Sequence, residues 1–268
     1  MKLDIYIVDA FTDRIFAGNP AGVCITEQPL SETLMKQIAA ELGASETAFL
    51  TLNDFRLQWF TRAQVEVALC GHGTLATACV LNELGLVAVG DEIAFKTQSG
   101  RLTAAVHRHH STIVLPRLAV LETSFESVQF ELDAFGLNPE QLTFAGRFGE
   151  RVLLQVNSAA LVRGLNPNFS QLLARAGRGV VICAPSDDPE YTLVSRYFAP
   201  WVGINEDPVT GSTHCALADH LYRQQGLSEW WGYQASARGG AVGVKLKSDE
   251  QVELTGNAVI ALKGQLRV

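Results

Sequence analysis

Apolar and polar residues alternate along many short stretches of this chain, which is the pattern of β-strands. Three longer stretches instead repeat apolar residues at helical intervals, among them one that begins after the capping residue Ser31 and stops at Gly43. The pattern therefore predicts an α+β protein. The predicted helices are 31–42, 74–84 and 213–224, residues 11–21 are predicted as a loop, and the main predicted strands are 3–8, 48–50, 55–59, 93–95, 102–106, 112–115, 152–156, 179–183, 191–198, 242–246, 252–254 and 259–266.

One local pattern occurs twice: a strand, a turn that contains glycine, and a buried helix. A constant offset matches Gly71 with Gly211 and Ala76 with Ala216, which suggests a duplicated domain. The helix 74–84 is apolar or small on every side, so it must be covered on every side. We therefore expect two pseudo-symmetric β-barrel-like halves, each wrapped around a central α-helix, with the active site in the cleft between them.

The composition of the chain limits the classes of molecule that it is expected to bind. The chain has 268 residues, 47% of them apolar, and a net charge of -7 without a basic stripe, which argues against nucleic acid. No apolar stretch is long enough to span a membrane. The five cysteines are odd in number and unevenly scattered, and the N-terminus lacks the profile of a signal peptide, so we expect free thiols and a cytoplasmic location. No Cys-x-x-Cys spacing is present, so we expect no metal. The spacing Cys70-Gly71-His72 looks too tight for both side chains to reach one ion.

The two glycine-containing turns are candidate anion sites. A helix N-terminus exposes unpaired N–H groups and a partial positive charge, and glycine lets a ligand approach the backbone closely. Two such ends facing one cleft would bind a carboxylate and stabilise the negative charge that develops when a neighbouring carbon loses a proton. Either turn alone could equally be an ordinary helix start. The predicted binding residues are Gly71, Gly73 and Thr74 in the first turn and Gly211, Ser212 and Thr213 in the second.

Three residues are candidates for acid/base chemistry. Glu46 follows a helix and lies among small or apolar neighbours, and partial burial would raise its pKa. His72 lies between two glycines and could donate to an oxyanion or relay a proton. Asp207 precedes the second turn and could accept a substrate proton or bind an amine. The alternatives are a surface carboxylate for Glu46, a structural histidine for His72 and a helix cap for Asp207.

Cys70 is a secondary candidate. A thiol beside a helix N-terminus has a lowered pKa and could act as a base. Its counterpart in the second turn is Thr210 rather than a cysteine. Racemisation with one thiol on each face of the carbon is therefore not supported.

The motifs that carry these residues resemble the PhzF-like family, named after the isomerase of phenazine biosynthesis, within the diaminopimelate epimerase and proline racemase superfamily. They occur in order over nearly the whole chain. They are Val8-Asp9-Ala10-Phe11, Gly18-Asn19-Pro20-Ala21, Ser45-Glu46-Thr47-Ala48-Phe49, Arg56 through Phe60-Thr61, Cys70-Gly71-His72-Gly73-Thr74, Arg196-Tyr197-Phe198-Ala199-Pro200, the segment from Gly203 through Asp207-Pro208 to Ser212, and Arg238-Gly239-Gly240.

The resemblance implies a diaminopimelate-epimerase-like fold, a homodimer and no cofactor. It implies that Glu46 is the catalytic acid/base, assisted by His72, Asp207 and Ser212, in an isomerase that acts on a small carboxylate. In this fold the last strand often returns to the first domain. The implied halves are therefore 1–116 with 257–268, and 117–256.

Two other functions remain open. The first turn also looks like that of proline racemases and hydroxyproline dehydratases, in which a threonine in the second turn goes with dehydration. Cys70 and Thr210 therefore keep a single-cysteine epimerase or dehydratase of an amino or imino acid as an alternative. A non-catalytic carboxylate-binding protein is the third hypothesis, although it would not need Glu46, His72 and Asp207 together.

Overall fold

The computed structural model describes residues 2–268, so Met1, with which the predicted N-terminal half begins, lies outside the described residues. The chain divides into two compact units, Met1–Leu115 with Glu253–Val268, and Pro116–Val252. The first boundary lies one residue before the expected position and the second lies four residues before it. The second differs because the division falls inside strand β17 (Gln251–Gly256), whose last four residues belong to the first unit.

The first unit is a curved, mostly antiparallel sheet. Pairing runs from β18 to β1 and then in order through β2, β3, β4, β6, β7 and β8, with β5 paired to β4. Its elements are β1 (Lys2–Ala10), β2 (Asn19–Thr26), α1 (Glu32–Leu42), β3 (Glu46–Thr51), β4 (Arg56–Thr61), β5 (Glu66–Val67), α2 (Gly71–Glu83), β6 (Glu92–Thr97), β7 (Gly100–Val106), β8 (Ser111–Pro116) and β18 (Ala258–Arg267).

Helix α2 is the core of this unit. It contacts β18, β1, β2, β3 and β7, so the sheet curves around it. Every residue from Gly71 to Leu81 is buried except Cys79, because the segment has no polar face to present to water. The expected central helix is therefore present.

The second unit is built in the same manner, with α6 as its long buried helix. Strands β9, β10, β11, β12 and β13 pair in that order. Strand β13 pairs with both β14 and β15, and β15 pairs in turn with β16. Its elements are β9 (Leu121–Glu122), α3 (Gln129–Phe135), β10 (Leu142–Phe148), β11 (Arg151–Val156), α4 (Ala159–Gly164), α5 (Phe169–Leu172), β12 (Gly179–Pro185), β13 (Leu193–Ala199), β14 (Ile204–Asp207), α6 (Gly211–Gln225), β15 (Glu229–Gln234) and β16 (Gly240–Leu246), with short 3-10 turns at 125–128, 139–141 and 200–202.

Local sequence signals predicted several boundaries correctly. Ser31 caps α1 by accepting a hydrogen bond from Leu34 N at 3.3 Å, and Gly43 ends the helix in the left-handed conformation. Strands β3 and β4 form the predicted hairpin across residues 52–55. Among residues 2–268, the structure has no helix with the length and apolar character needed to cross a membrane.

Two predictions were wrong in detail. The loop predicted for 11–21 ends at Gly18, because Asn19 and Pro20 already pair with Ala10 and Asp9 of β1. Helices α2 and α6 start three and two residues before their predicted positions, at Gly71 and Gly211. Glycines placed in the first turn therefore belong to the helices, although their low helix propensity pointed to a loop.

Candidate active site

Glu46 is the first residue of β3, where a loop from α1 enters the sheet. It pairs in register with Ala21 of β2 and Thr61 of β4. Its side chain is 19% exposed, and the residues that follow it, Thr47 and Ala48, are buried. The carboxylate is thus largely shielded from water but remains reachable, which is the environment expected of an acid/base group rather than of a surface carboxylate.

His72 lies beside this carboxylate. Its Nε2 is 3.3 Å from Glu46 Oε2, and its side chain is only 7% exposed. Both nitrogens of the ring have a polar neighbour: Ser45 Oγ lies 3.3 Å from Nε2, and Asn19 Nδ2 lies 3.4 Å from Nδ1. The structure therefore brings the two sequence candidates Glu46 and His72 into direct contact.

The first turn of α2 contains His72 and lies next to Glu46. Cys70 is the N-cap with φ -142° and ψ 106°, and its side chain makes no capping hydrogen bond. The first backbone bond of the helix runs from Thr74 N to Cys70 O at 3.2 Å, so the N–H groups of Gly71, His72 and Gly73 come before the helical ladder. The Thr74 hydroxyl donates to Cys70 O at 2.6 Å. Thr74 thus stabilises the turn through this bond, and the N–H groups that precede the ladder are candidate donors for an anion.

The pKa of Glu46 is lowered from its ordinary value of 4.5, which reverses the direction we predicted. Burial does raise it, but the hydrogen bond and the positive charge of His72, with a smaller contribution from Ser45, more than offset burial. In turn, burial would lower the pKa of His72, whereas Cys70 and Glu46 raise it well above 6.5. Glu46 is therefore ionised at neutral pH.

This electrostatic coupling predicts opposite behaviour with and without His72. In the native protein the Glu46 carboxyl should titrate below 4.5. In a His72→Asn variant the pKa of Glu46 should rise above that value. Burial, which raises this pKa, is the largest single influence, and the substitution removes most of what offsets it, the hydrogen bond and the charge of His72. Carbon-13 NMR of glutamate-labelled protein measures both titrations. An unchanged Glu46 titration in the variant would disprove the coupling.

Cys70 differs from the prediction in two respects. Burial raises the pKa of its thiol, although His72 and the backbone act in the opposite direction, which is contrary to the lowered pKa predicted from the helix N-terminus. The spacing is also not too tight, since ligand atoms of Glu46, Cys70 and His72 lie within 4.8 Å of one another. However, Cys70 Sγ is 3.7 Å from Nδ1 and 3.9 Å from Nε2. A sulfur almost equidistant from both nitrogens does not lie along the lone pair of either.

Gly73 has a steric role that predicts a measurable effect. A Cβ at this position would lie 2.9 Å from Trp59 Cδ1 and 3.0 Å from Cys70 Sγ. Gly73→Ala should therefore destabilise the protein by about 1–3 kcal/mol through overpacking and displace the start of α2. Chemical denaturation measures this effect. Gly164→Ala in α4 is the control, because nothing lies within 4 Å of its added Cβ; equal stability of the two variants would refute the steric role.

The second unit repeats the same helix start. Thr210 is the N-cap of α6 with φ -118° and ψ 108°, again without a side-chain capping bond. The first backbone bond of the helix runs from His214 N to Thr210 O at 3.3 Å. The match between Cys70 and Thr210 that the sequence predicted is thus also a match of backbone conformation. Gly211 and Thr213 are buried, and Ser212 is half-buried.

Asp207 is the last residue of β14, just before the turn that leads to α6, and is buried. The Thr210 hydroxyl donates to its Oδ2 at 2.5 Å. Gln234 of β15 closes the turn, because its Nε2 donates to Asp207 O at 2.7 Å and its Oε1 accepts from Thr210 N at 2.9 Å. Gln234 was missed by sequence reasoning, since no local motif marks a buried glutamine on a strand.

The predicted site residues therefore form two groups. Glu46, Cys70, His72 and the α2 turn lie together in the first unit, and Asp207, Thr210 and the α6 turn lie together in the second. Asn19 and Ser45 were part of recognised motifs but received no role, although both contact His72.

Comparison with known proteins identifies the family of this chain. The model of the PhzC-PhzF family, described as phenazine biosynthesis-like protein, matches residues 8–264. An uncharacterized isomerase of Halalkalibacterium halodurans is 39% identical, with 99% of both chains covered. The structure of a PhzF-family phenazine biosynthesis protein from Enterococcus faecalis superposes with a TM-score of 0.91 at 33% identity, with 100% of both chains covered.

A more distant structure shares the fold alone. A hydroxyproline epimerase from Agrobacterium vitis, solved with bound trans-4-hydroxy-L-proline, has a TM-score of 0.62 at 11% identity, covering 99% of this chain and 92% of that one. The predicted α+β, diaminopimelate-epimerase-like fold class is thereby confirmed. Because its family model and its isomerase relative both match nearly the full length, the chain belongs to the phenazine biosynthesis-like PhzC-PhzF family and is an enzyme of the isomerase class.

Proposed function

We propose that this isomerase moves a proton between two carbons of a small carboxylate substrate, without a cofactor, and that Glu46 carries the proton. The observation that carries the proposal is the 3.3 Å contact between Glu46 Oε2 and His72 Nε2, at the start of the buried helix α2. A shielded, ionised carboxylate can accept a proton from carbon, hold it as a carboxylic acid and return it to a second carbon. No net oxidation occurs.

The turn at residues 71–73 would supply the complementary charge. Its N–H groups precede the hydrogen-bonded ladder of α2 and carry the positive end of the helix dipole. They suit the substrate carboxylate, and they suit still better the extra negative charge that forms beside it when the proton leaves. His72 would assist by keeping Glu46 ionised and by donating a hydrogen bond to it.

The second unit would complete the site. In this proposal, Gly211, Ser212 and Thr213 bind the same anion, and Asp207 accepts a hydrogen bond from a hydroxyl or amine of the substrate. The distant hydroxyproline epimerase binds a small cyclic carboxylate in the same fold, which supports this class of ligand. A homodimer and a cytoplasmic location belong to the same proposal.

An alternative chemistry led by Cys70 has less support. Its thiol is buried and its pKa is raised, so it is a poorer base than Glu46 at neutral pH. The Thr210 hydroxyl, which would distinguish a dehydratase, is engaged with Asp207.

Hydrogen exchange tests the proposal without knowledge of the natural substrate. The purified protein, free of added metal and nucleotide, is incubated in deuterated water with a panel of amino acids, hydroxyproline and unsaturated cyclic carboxylates. Proton NMR should detect loss of one C–H signal in at least one compound. A panel without any exchange above the protein-free rate would contradict the proposed proton transfer, whereas exchange that requires Cys70 but not Glu46 would favour the alternative.

A further inference from the structure

The His72 ring is enclosed by polar groups on both of its nitrogen atoms. Asn19 Nδ2 lies 3.4 Å from Nδ1, and Asn19 is fully buried. Ser45 Oγ and Glu46 Oε2 each lie 3.3 Å from Nε2. If the ring were turned over, carbon atoms would face these polar groups. The surrounding side chains therefore select a single ring orientation.

The Ser45 hydroxyl has more hydrogen-bond partners within reach than its single proton can serve. It lies 3.2 Å from Asn19 Oδ1, 3.3 Å from the carbonyl oxygen of Pro20 and 3.3 Å from His72 Nε2. The one hydroxyl proton can go to either of the two carbonyl oxygens but not to both, and the Ser45 oxygen can accept as well as donate. The Asn19 amide is similarly versatile, since it carries a donor on one side and an acceptor on the other.

We infer that Asn19 and Ser45 form a positioning pair that keeps His72 Nε2 facing Glu46 in both the neutral and the protonated state of the imidazole. This inference deepens the proposed function and rests on it, because it concerns the histidine that assists Glu46. Neither residue needs to touch the substrate, so both act through His72.

The pair satisfies each state by redirecting hydrogen bonds. When His72 is neutral with its proton on Nε2, Asn19 Nδ2 donates to Nδ1, and Ser45 donates to Asn19 Oδ1. When a proton from solvent adds to Nδ1, half a turn of the amide places Oδ1 as its acceptor. Nδ2 then donates to Ser45 Oγ, and the Ser45 proton goes to the Pro20 carbonyl. Only the amide oxygen and nitrogen exchange places, and the ring stays fixed.

A fixed ring matters because proton transfer is sensitive to geometry. Displacement of a catalytic group by about 1 Å can reduce the rate by about 100-fold. A carboxylate in place of Asn19 would favour only the protonated state, and an apolar side chain would hold neither state. The charged and titratable groups that face the ring are Glu46 and Cys70.

Nitrogen-15 NMR of the intact protein tests this inference without any substrate. The side-chain amide of Asn19 should change its chemical shift with the same midpoint as His72, above pH 6.5. His72 should show one ring orientation at both ends of the titration. An Asn19 amide that does not respond while His72 titrates would overturn the inference.

Asn19→Ala supplies a second measurement, with Asn82→Ala at the other end of α2 as the matched control. Loss of the amide should give His72 signals from two ring orientations and slow substrate exchange by about 100-fold, while the control changes neither. Retention of one orientation and of full exchange would overturn the inference. If Asn19→Ala does not fold, the titration of the native protein decides alone. If the native protein exchanges no substrate, the proposed function fails, but the NMR result still stands.

Discussion

Glu46→Gln is expected to reduce proton exchange into the most active carboxylate of the panel by about 100- to 10,000-fold, the range that general acid/base catalysis supplies. Glutamine has nearly the same shape, so packing at the start of β3 should be unchanged. It cannot accept a proton from carbon, and it removes the negative charge that His72 faces at 3.3 Å. The rate is measured by proton NMR in deuterated water at saturating substrate.

The matched control for this prediction is Glu41→Gln. Glu41 is an exposed residue of α1, and the substitution has the same chemistry without contact with the site. It should exchange at the native rate. Exchange by Glu46→Gln within a few-fold of native would remove Glu46 from its proposed role, while equal losses in both variants would point to a general defect.

Asp219→Asn is expected to lower the free energy of unfolding by about 3–5 kcal/mol, the usual effect of removing one partner of a buried ion pair. Asp219 lies on α6 and its side chain is 1% exposed. Its Oδ1 is 2.8 Å from both Nε and Nη2 of Arg117, and its Oδ2 accepts from Val120 N at 2.8 Å. An asparagine would leave the Arg117 guanidinium, whose side chain is 9% exposed, without its buried counter-charge, and it would point an N–H group at a donor.

Urea denaturation followed by fluorescence measures this loss, with Asp249→Asn as the control. Asp249 also lies near Arg117, 3.6 Å from Nη1, but its side chain is 99% exposed. Its removal should leave the midpoint unchanged, because exposed ion pairs contribute little. Equal midpoints for the two variants would show that burial of Asp219 does not set the stability of this unit.

The central helices could be predicted from sequence because their signal is local. A segment without a polar face, such as 74–84, has to be enclosed whatever the rest of the chain does. Likewise the caps at Ser31 and Gly43 depend only on neighbouring residues. Their starting residues were misplaced because glycine lowers helix propensity, whereas here glycine occupies first turns.

The chemistry of the site depended on contacts between distant residues. Glu46 was identified from its neighbours, but the direction of its pKa shift was not, because it is decided by His72, which is 26 residues away and adjacent only after folding. Gln234 escaped notice for the same reason, since its three buried bonds join β15 to a turn 24 or more residues earlier. Sequence patterns identify reactive side chains, and tertiary partners set their protonation.

A crystal structure with the most rapidly exchanging carboxylate of the panel tests the central claim most directly. We expect its carboxylate on the backbone N–H groups of residues 71–73 and 211–213, with the exchanging carbon beside a carboxylate oxygen of Glu46. A ligand that binds to only one of these helix starts, or that leaves Glu46 out of reach of the exchanging carbon, would contradict the proposed site.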